Sequence, residues 1–88
     1  MIYKLVFSNE CKKQIEKLDN STYLLLKGWI SKHLLNCENP KVYGKPLVSN
    51  KKNLWRYRIG NYRLIVQIKD NELLVLALDF RHRSIVYK

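Results

Sequence analysis

Three arginines lie within eight residues of one another in the stretch "NLWRYRIGNYRLIV" at 53–66: Arg56, Arg58 and Arg63. A guanidinium is permanently charged and offers a planar fork of donors that matches a phosphate, so these residue types point to binding or stabilising phosphoryl oxygens. The stretch alternates like two β-strands joined by a tight turn at Gly60-Asn61. A two-residue turn there opposes Ile59 to Tyr62, Arg58 to Arg63 and Tyr57 to Leu64. Trp55, Tyr57, Ile59, Tyr62, Leu64 and Val66 then share the face that meets a core. Arg56, Arg58, Arg63 and Gln67 share the other, with Ile65 among them. Arg58 and Arg63 come to roughly 5 Å apart at Cβ, where like charges cost stability. Neither strand carries an acid, and Glu72 and Asp79 on the next strand are the local carboxylates that could offset the pair. An anionic ligand would offset it equally well, while the bland alternative is that long arginines splay into water.

The charge balance favours the ligand. The 88-residue chain has 17 Lys and Arg against 7 Asp and Glu, a net charge of +10. Residues 1–40 hold six basic and four acidic side chains (+2), and residues 41–88 hold eleven and three (+8). All five arginines fall between 56 and 83. A basic half of this kind fits a polyanion, nucleic acid first.

The length corresponds to one small domain, residues 1–88. No apolar run is long enough to span a membrane, and the N-terminus lacks the layout of a signal peptide, so a cytoplasmic protein is expected. Cys11 and Cys37 lack a C-x-x-C spacing and stand apart from both histidines, and they read as reduced, buried hydrophobes. No metal site or cofactor is expected.

The elements that position the arginines follow from the pattern. "IYKLVF" (2–7) reads as a strand, and Ser8 caps a helix running to about Leu18 with Cys11, Ile15 and Leu18 inward. "LDNST" breaks it, and a second helix from about 22 to 35 has Leu24, Leu25, Trp29 and Leu35 as apolar members. Residues 36–53 read as a basic loop. Strands follow at about 54–59, 62–68 and 72–79, the last two joined at Asp70-Asn71, with one more short extended stretch at 85–87. The class is α+β, in the order β-α-α-β-β-β(-β), an antiparallel sheet with a helical hairpin on one face. "LLVLAL" (73–78) is apolar on both faces. Unless the tail or the 36–53 loop covers them, Leu74, Leu76 and Leu78 should therefore form an exposed strip beside the arginines that suits a protein partner.

The whole pattern, with "YRL-V" after a short turn and the ending "RHRSIVY", resembles the RelE/ParE superfamily of toxins, its RelE branch most of all. The resemblance implies a ribosome-dependent endoribonuclease that cuts mRNA in the A site of the 70S ribosome. The RNA's own 2′-hydroxyl attacks the adjacent phosphate, with no metal and no covalent intermediate. Carried onto matching positions, the catalytic residues are Arg58, Arg63, Arg81 and Tyr87, with Arg56, Lys51, Lys52 and Arg83 binding RNA. It also implies an acidic, RelB-like antitoxin, and contacts to mRNA and ribosomal RNA. The family's first-strand basic pair is commonly lysine. Here both positions are arginine, a poor base, so the group that takes the 2′-proton is left open, with Tyr87 and His82 as titratable neighbours. A ParE-like gyrase inhibitor without nuclease activity, a non-catalytic RNA-binding module and an inert relic are the alternatives.

Overall fold

The computed structural model describes residues 1–47 and 53–82. Strand β1 (Lys4–Phe7) leads into helix α1 (Asn9–Glu16), helix α2 (Asn20–His33), a 3₁₀ turn (Pro40–Tyr43) and the short strand β2 (Gly44–Pro46). Strands β3 (Leu54–Ile59) and β4 (Tyr62–Lys69), a 3₁₀ turn (Asp70–Glu72) and strand β5 (Leu74–His82) complete the order. The sheet runs β1-β5-β4-β3-β2. The tail strand expected at 85–87 lies outside the described residues.

Each helix starts where a side chain can satisfy its free N–H groups. Ser8 accepts from the Cys11 amide at 3.1 Å, and Asp19 accepts from the Thr22 amide. Hydrogen bonds from Ser21 and Thr22 to the Asp19 carboxylate hold its pKa down to about 2. The hairpin turn places Gly60 at φ +58°, the left-handed first position that a type II′ connection requires. A Cβ there would also meet Leu25 Cδ2 at 2.9 Å.

The core lies between the sheet and the helical hairpin. Tyr57, Ile59, Leu64, Val66, Ile68, Val75, Ala77 and Phe80 from the sheet meet Cys11, Leu26 and Leu34 from the helical side. Both cysteines are buried and free, and burial together with the Asp79 charge pushes the Cys11 thiol up to about 11. In α2 the expected apolar face is rotated. Leu24, Leu25 and Leu35 are exposed, whereas Leu26, Trp29, Ile30 and Leu34 pack inward. Three consecutive leucines cannot share one face at 3.6 residues per turn, and the spacing 26, 29, 30 and 34 is the one that forms a stripe.

Three further expectations are corrected. The sheet is mixed, because β1 pairs with β5 in parallel, Lys4 opposite Leu74 through Phe7 opposite Ala77. The helical hairpin carries the chain across the sheet, and the β2–β5 meander returns it to the side of β1 running in the same direction. Residues 36–47 are not simply a loop, since they form the 3₁₀ turn and β2. The Tyr57 hydroxyl donates to the Pro40 carbonyl at 2.7 Å inside the core, and Gly44 sits where a Cβ would lie 2.8 Å from the Tyr57 ring. Strand β5 starts and ends later than expected, because Leu73 takes a left-handed conformation (φ 50°) that closes the 3₁₀ turn.

Candidate functional site: a row of arginines across three strands

The expected hairpin register holds: Arg58 lies opposite Arg63, and Tyr57 opposite Leu64. The next strand extends it, because Arg63 also lies opposite Arg81. Arg58, Arg63 and Arg81 thus form one row across β3, β4 and β5, on the sheet face away from the helices. Neighbouring Cβ atoms in such a row are about 5 Å apart.

Strict alternation along β5 would not have put Arg81 there. Val75 and Ala77 are buried against the helices, and that phase carried forward would turn Asp79 and Arg81 inward. The ladder instead pairs Ile65 with Asp79 and Val66 with Ala77, leaving Leu78 as the extra residue of a β-bulge. Beyond the bulge Phe80 is buried opposite Leu64, and Asp79 and Arg81 face the arginine side. The expected strip of leucines is altered accordingly. Leu78 is the bulge residue, and Leu74, Leu76 and Leu78 are half-buried rather than exposed. Lys4, Lys69, Val6 and Gln67 stand opposite Leu74 and Leu76.

The bulge lies just past the end of β1, where β5 loses its neighbour on that side. Gln14 of α1 takes the place of a strand: its Oε1 accepts from the Phe80 amide at 2.8 Å, and its Nε2 donates to Asp79 Oδ1. Asp79 in turn accepts from Arg81 Nε at 3.0 Å. The carboxylate anticipated near the row therefore serves its β5 end. Arg58 and Arg63 have no ion pair with an acid among the described residues, and Arg63 Nε is buried without a hydrogen-bond partner there. An anion placed over the row would meet two guanidiniums whose charges are not offset.

Arg56 stands one step along the same face, opposite Ile65 on β4 and Lys45 on β2. Lys45 was expected only as one of the lysines of the basic 36–53 loop, because β2 was hidden in a segment punctuated by two prolines. His82 is paired with Tyr62, whose ring lies 5.2 Å from it, on the helical side of the sheet and off the row. Tyr87, Arg83, Lys51 and Lys52 lie outside the described residues. Among the described residues no group of three or more His, Cys, Asp or Glu could hold a metal ion. Among the described residues no helix is long and apolar enough to cross a membrane.

A five-stranded sheet backed by a helical hairpin is the fold of the solved RelE toxins. The toxin–antitoxin complex RelBE2 from Mycobacterium tuberculosis is similar with a TM-score of 0.79 and 25% identity, covering 94% of this chain and 100% of that one. The isolated E. coli RelE toxin gives 0.74 at 22% identity, over 91% and 83% of the two chains. The archaeal RelE–RelB complex from Pyrococcus horikoshii OT3 gives 0.74 at 17%, over 98% and 100%. No curated protein matches in sequence. Residues 5–87 match the model of the family described as the ParE toxin of type II toxin-antitoxin systems, parDE. The chain belongs to that family and is the toxin component of a type II toxin-antitoxin system.

Proposed function

We propose that this toxin is a ribosome-dependent endoribonuclease that cleaves mRNA in the ribosomal A site and so halts translation in the cytoplasm. The observation that carries the reading is the Arg58–Arg63–Arg81 row, three guanidiniums in register on an open face with a carboxylate at one end only. In the reaction the 2′-oxygen forms a bond to the neighbouring phosphorus and the bond to the 5′-oxygen breaks. The 2′-proton leaves to a base and the 5′-oxygen gains one. Negative charge grows on the phosphoryl oxygens in between. Fixed donors aimed at that charge, already assembled before the reaction, supply the largest part of such a rate enhancement. Holding the 2′-hydroxyl in line with the leaving oxygen adds to it.

Arg58 and Arg63 act as electrostatic groups, since an arginine does not give up its proton. Tyr87, carried over from the family resemblance, completes the catalytic set, and Arg56, Lys51, Lys52 and Arg83 grip the flanking RNA. Complexes of similar toxins with RelB-type partners support a RelB-like antitoxin for this chain, and the +10 charge suits an acidic one. The test is cleavage of mRNA on programmed 70S ribosomes by wild type and by Arg81→Ala. Cuts at the A-site codon that need both the ribosome and Arg81 are expected.

The family match favours one other reading. The matching model is that of ParE toxins, and a ParE-like protein would inhibit DNA gyrase without cutting RNA. Intact mRNA in the ribosome assay, with gyrase supercoiling inhibited by the same protein, would establish it.

A further inference from the structure

A second basic surface adjoins the row at its β3 end. Val42, Tyr43, Gly44, Lys45, Arg56 and Arg58 line an open groove of about 250 Å³. It runs from Arg58 toward β2 at the sheet edge, so a polyanionic strand laid over the row has a basic path into it. Lys45 and Arg56 face each other across β2 and β3 with no acid between them among the described residues. This repeats, one step outward, the like-charge pairing of Arg58 and Arg63, and it carries the same cost in the absence of an anion.

The other wall is aromatic, and it is built rather than accidental. Tyr57 is fully buried and its hydroxyl holds the Pro40 carbonyl, fixing the 3₁₀ turn that ends at Tyr43. From Tyr57 a chain of rings runs outward: Trp29 at 5.1 Å, His33 4.6 Å from Trp29, and Tyr43 4.8 Å from His33. Tyr43 as a residue is 43% exposed. A part-exposed aromatic at the end of a chain of three further rings, lining one groove with Lys45 and Arg56, combines the two parts of a single-strand nucleotide site. The ring takes a base, and the cations take its phosphate.

From this we propose that the Tyr43–Lys45–Arg56 groove is a nucleotide subsite for the single-stranded RNA that passes over the arginine row. One base of the substrate strand stacks on Tyr43 while Lys45 and Arg56 hold the adjoining phosphate. The inference rests on the RNA-cleaving reading above and adds a positioning role: the groove fixes the strand so that the scissile phosphate falls on Arg58 and Arg63.

The test is binding of a short fluorescent oligoribonucleotide that carries one 2′-deoxy sugar at the expected cut, which removes the attacking hydroxyl, with the all-deoxy strand of the same sequence as a second probe. Each variant's melting temperature is recorded to confirm folding. Tyr43→Ala is expected to weaken binding about tenfold, within the range known for loss of one stacked base, and Tyr43→Phe to bind within about twofold of wild type. Lys45→Ala should lower the slope of log affinity against log salt by about 0.7, the loss of one phosphate contact on a single strand. A photoreactive benzoylphenylalanine at position 43 should crosslink to mRNA on programmed ribosomes, and crosslinking to ribosomal RNA alone would overturn the assignment to the substrate strand. Wild-type affinity in folded Tyr43→Ala and Lys45→Ala, with loss in Arg63→Ala, would overturn the groove and leave the RNA reading standing. So would cleavage on ribosomes by a wild type that binds neither probe. A wild type that neither binds RNA nor cuts it would overturn both.

Discussion

Arg63 is the residue on which the site turns, since it is flanked by Arg58 on one strand and Arg81 on the other. In the free protein this placement is unfavourable, by up to about 1 kcal/mol for each directly opposed like-charge pair. Arg63→Gln should therefore leave the melting temperature unchanged or raise it by a few degrees. The same change should lower the cleavage rate by about a hundredfold or more, as for loss of one fixed donor to a developing anion. A thermal melt and a cleavage time course on the same preparation check both halves. A variant that loses activity and several degrees together would mean that Arg63 is structural. Arg56, Arg58 and Arg63 were legible from alternation and a two-residue turn, because period-two patterns and turn chemistry are local. The placement of Tyr43 and Lys45 beside the row was not legible, because nothing local announces that the turn beginning at Pro40 is bound to the sheet through the Tyr57 hydroxyl 17 residues away. Tyr57→Phe removes that bond and leaves the Pro40 carbonyl buried without it, which should cost roughly 1–3 kcal/mol in denaturant unfolding.

Among the elements, β5 decides whether a site exists. Its bulge at Leu78 converts a strand whose odd residues face the core into one that presents Asp79 and Arg81 to the row. Sequence alternation could not show this, because a bulge depends on where the neighbouring strand ends. Here β1 stops at Phe7 and Gln14 takes over the edge of β5. Gln14→Ala leaves the Phe80 amide without that acceptor and releases Asp79 from α1. It should cost roughly 1–3 kcal/mol of stability. It should also reduce cleavage through Arg81 without removing any group that touches RNA. Gln14→Glu keeps the acceptor for the Phe80 amide and should restore most of the stability, but its charge beside Asp79 should not restore cleavage. The parallel pairing of β1 with β5 was equally hidden, since it follows from the path of the helical hairpin across the sheet and not from any one segment.

At the scale of the molecule, charge is segregated from the helical side: the +8 half carries the row, the groove and β2, while the +2 half carries the helical hairpin. RNA binding should accordingly weaken steeply with salt. The acid limb of stability has a contributor on the helical side. Asp19 has its pKa lowered from 3.8 to about 2 by Ser21 and Thr22, so its cap supports folding above the ordinary carboxylate range and is lost as pH falls toward 2. Cys11 behaves in the opposite sense. Its thiol is raised from 9.0 to about 11, so its contribution is complete below pH 9 and fades as pH rises toward 11. Alkylation at pH 8 should leave Cys11 unmodified in the folded protein and modify it after unfolding.

The most direct measurement is primer extension on mRNA incubated with the toxin and programmed 70S ribosomes, with ribosome-free mRNA, Arg63→Gln and Arg81→Ala as controls. A new 3′ end inside the A-site codon, present only with ribosomes and wild-type protein, is the predicted result. Full-length mRNA with a folded wild-type toxin, or equal cutting by both variants, would contradict the assignment of the arginine row to RNA cleavage.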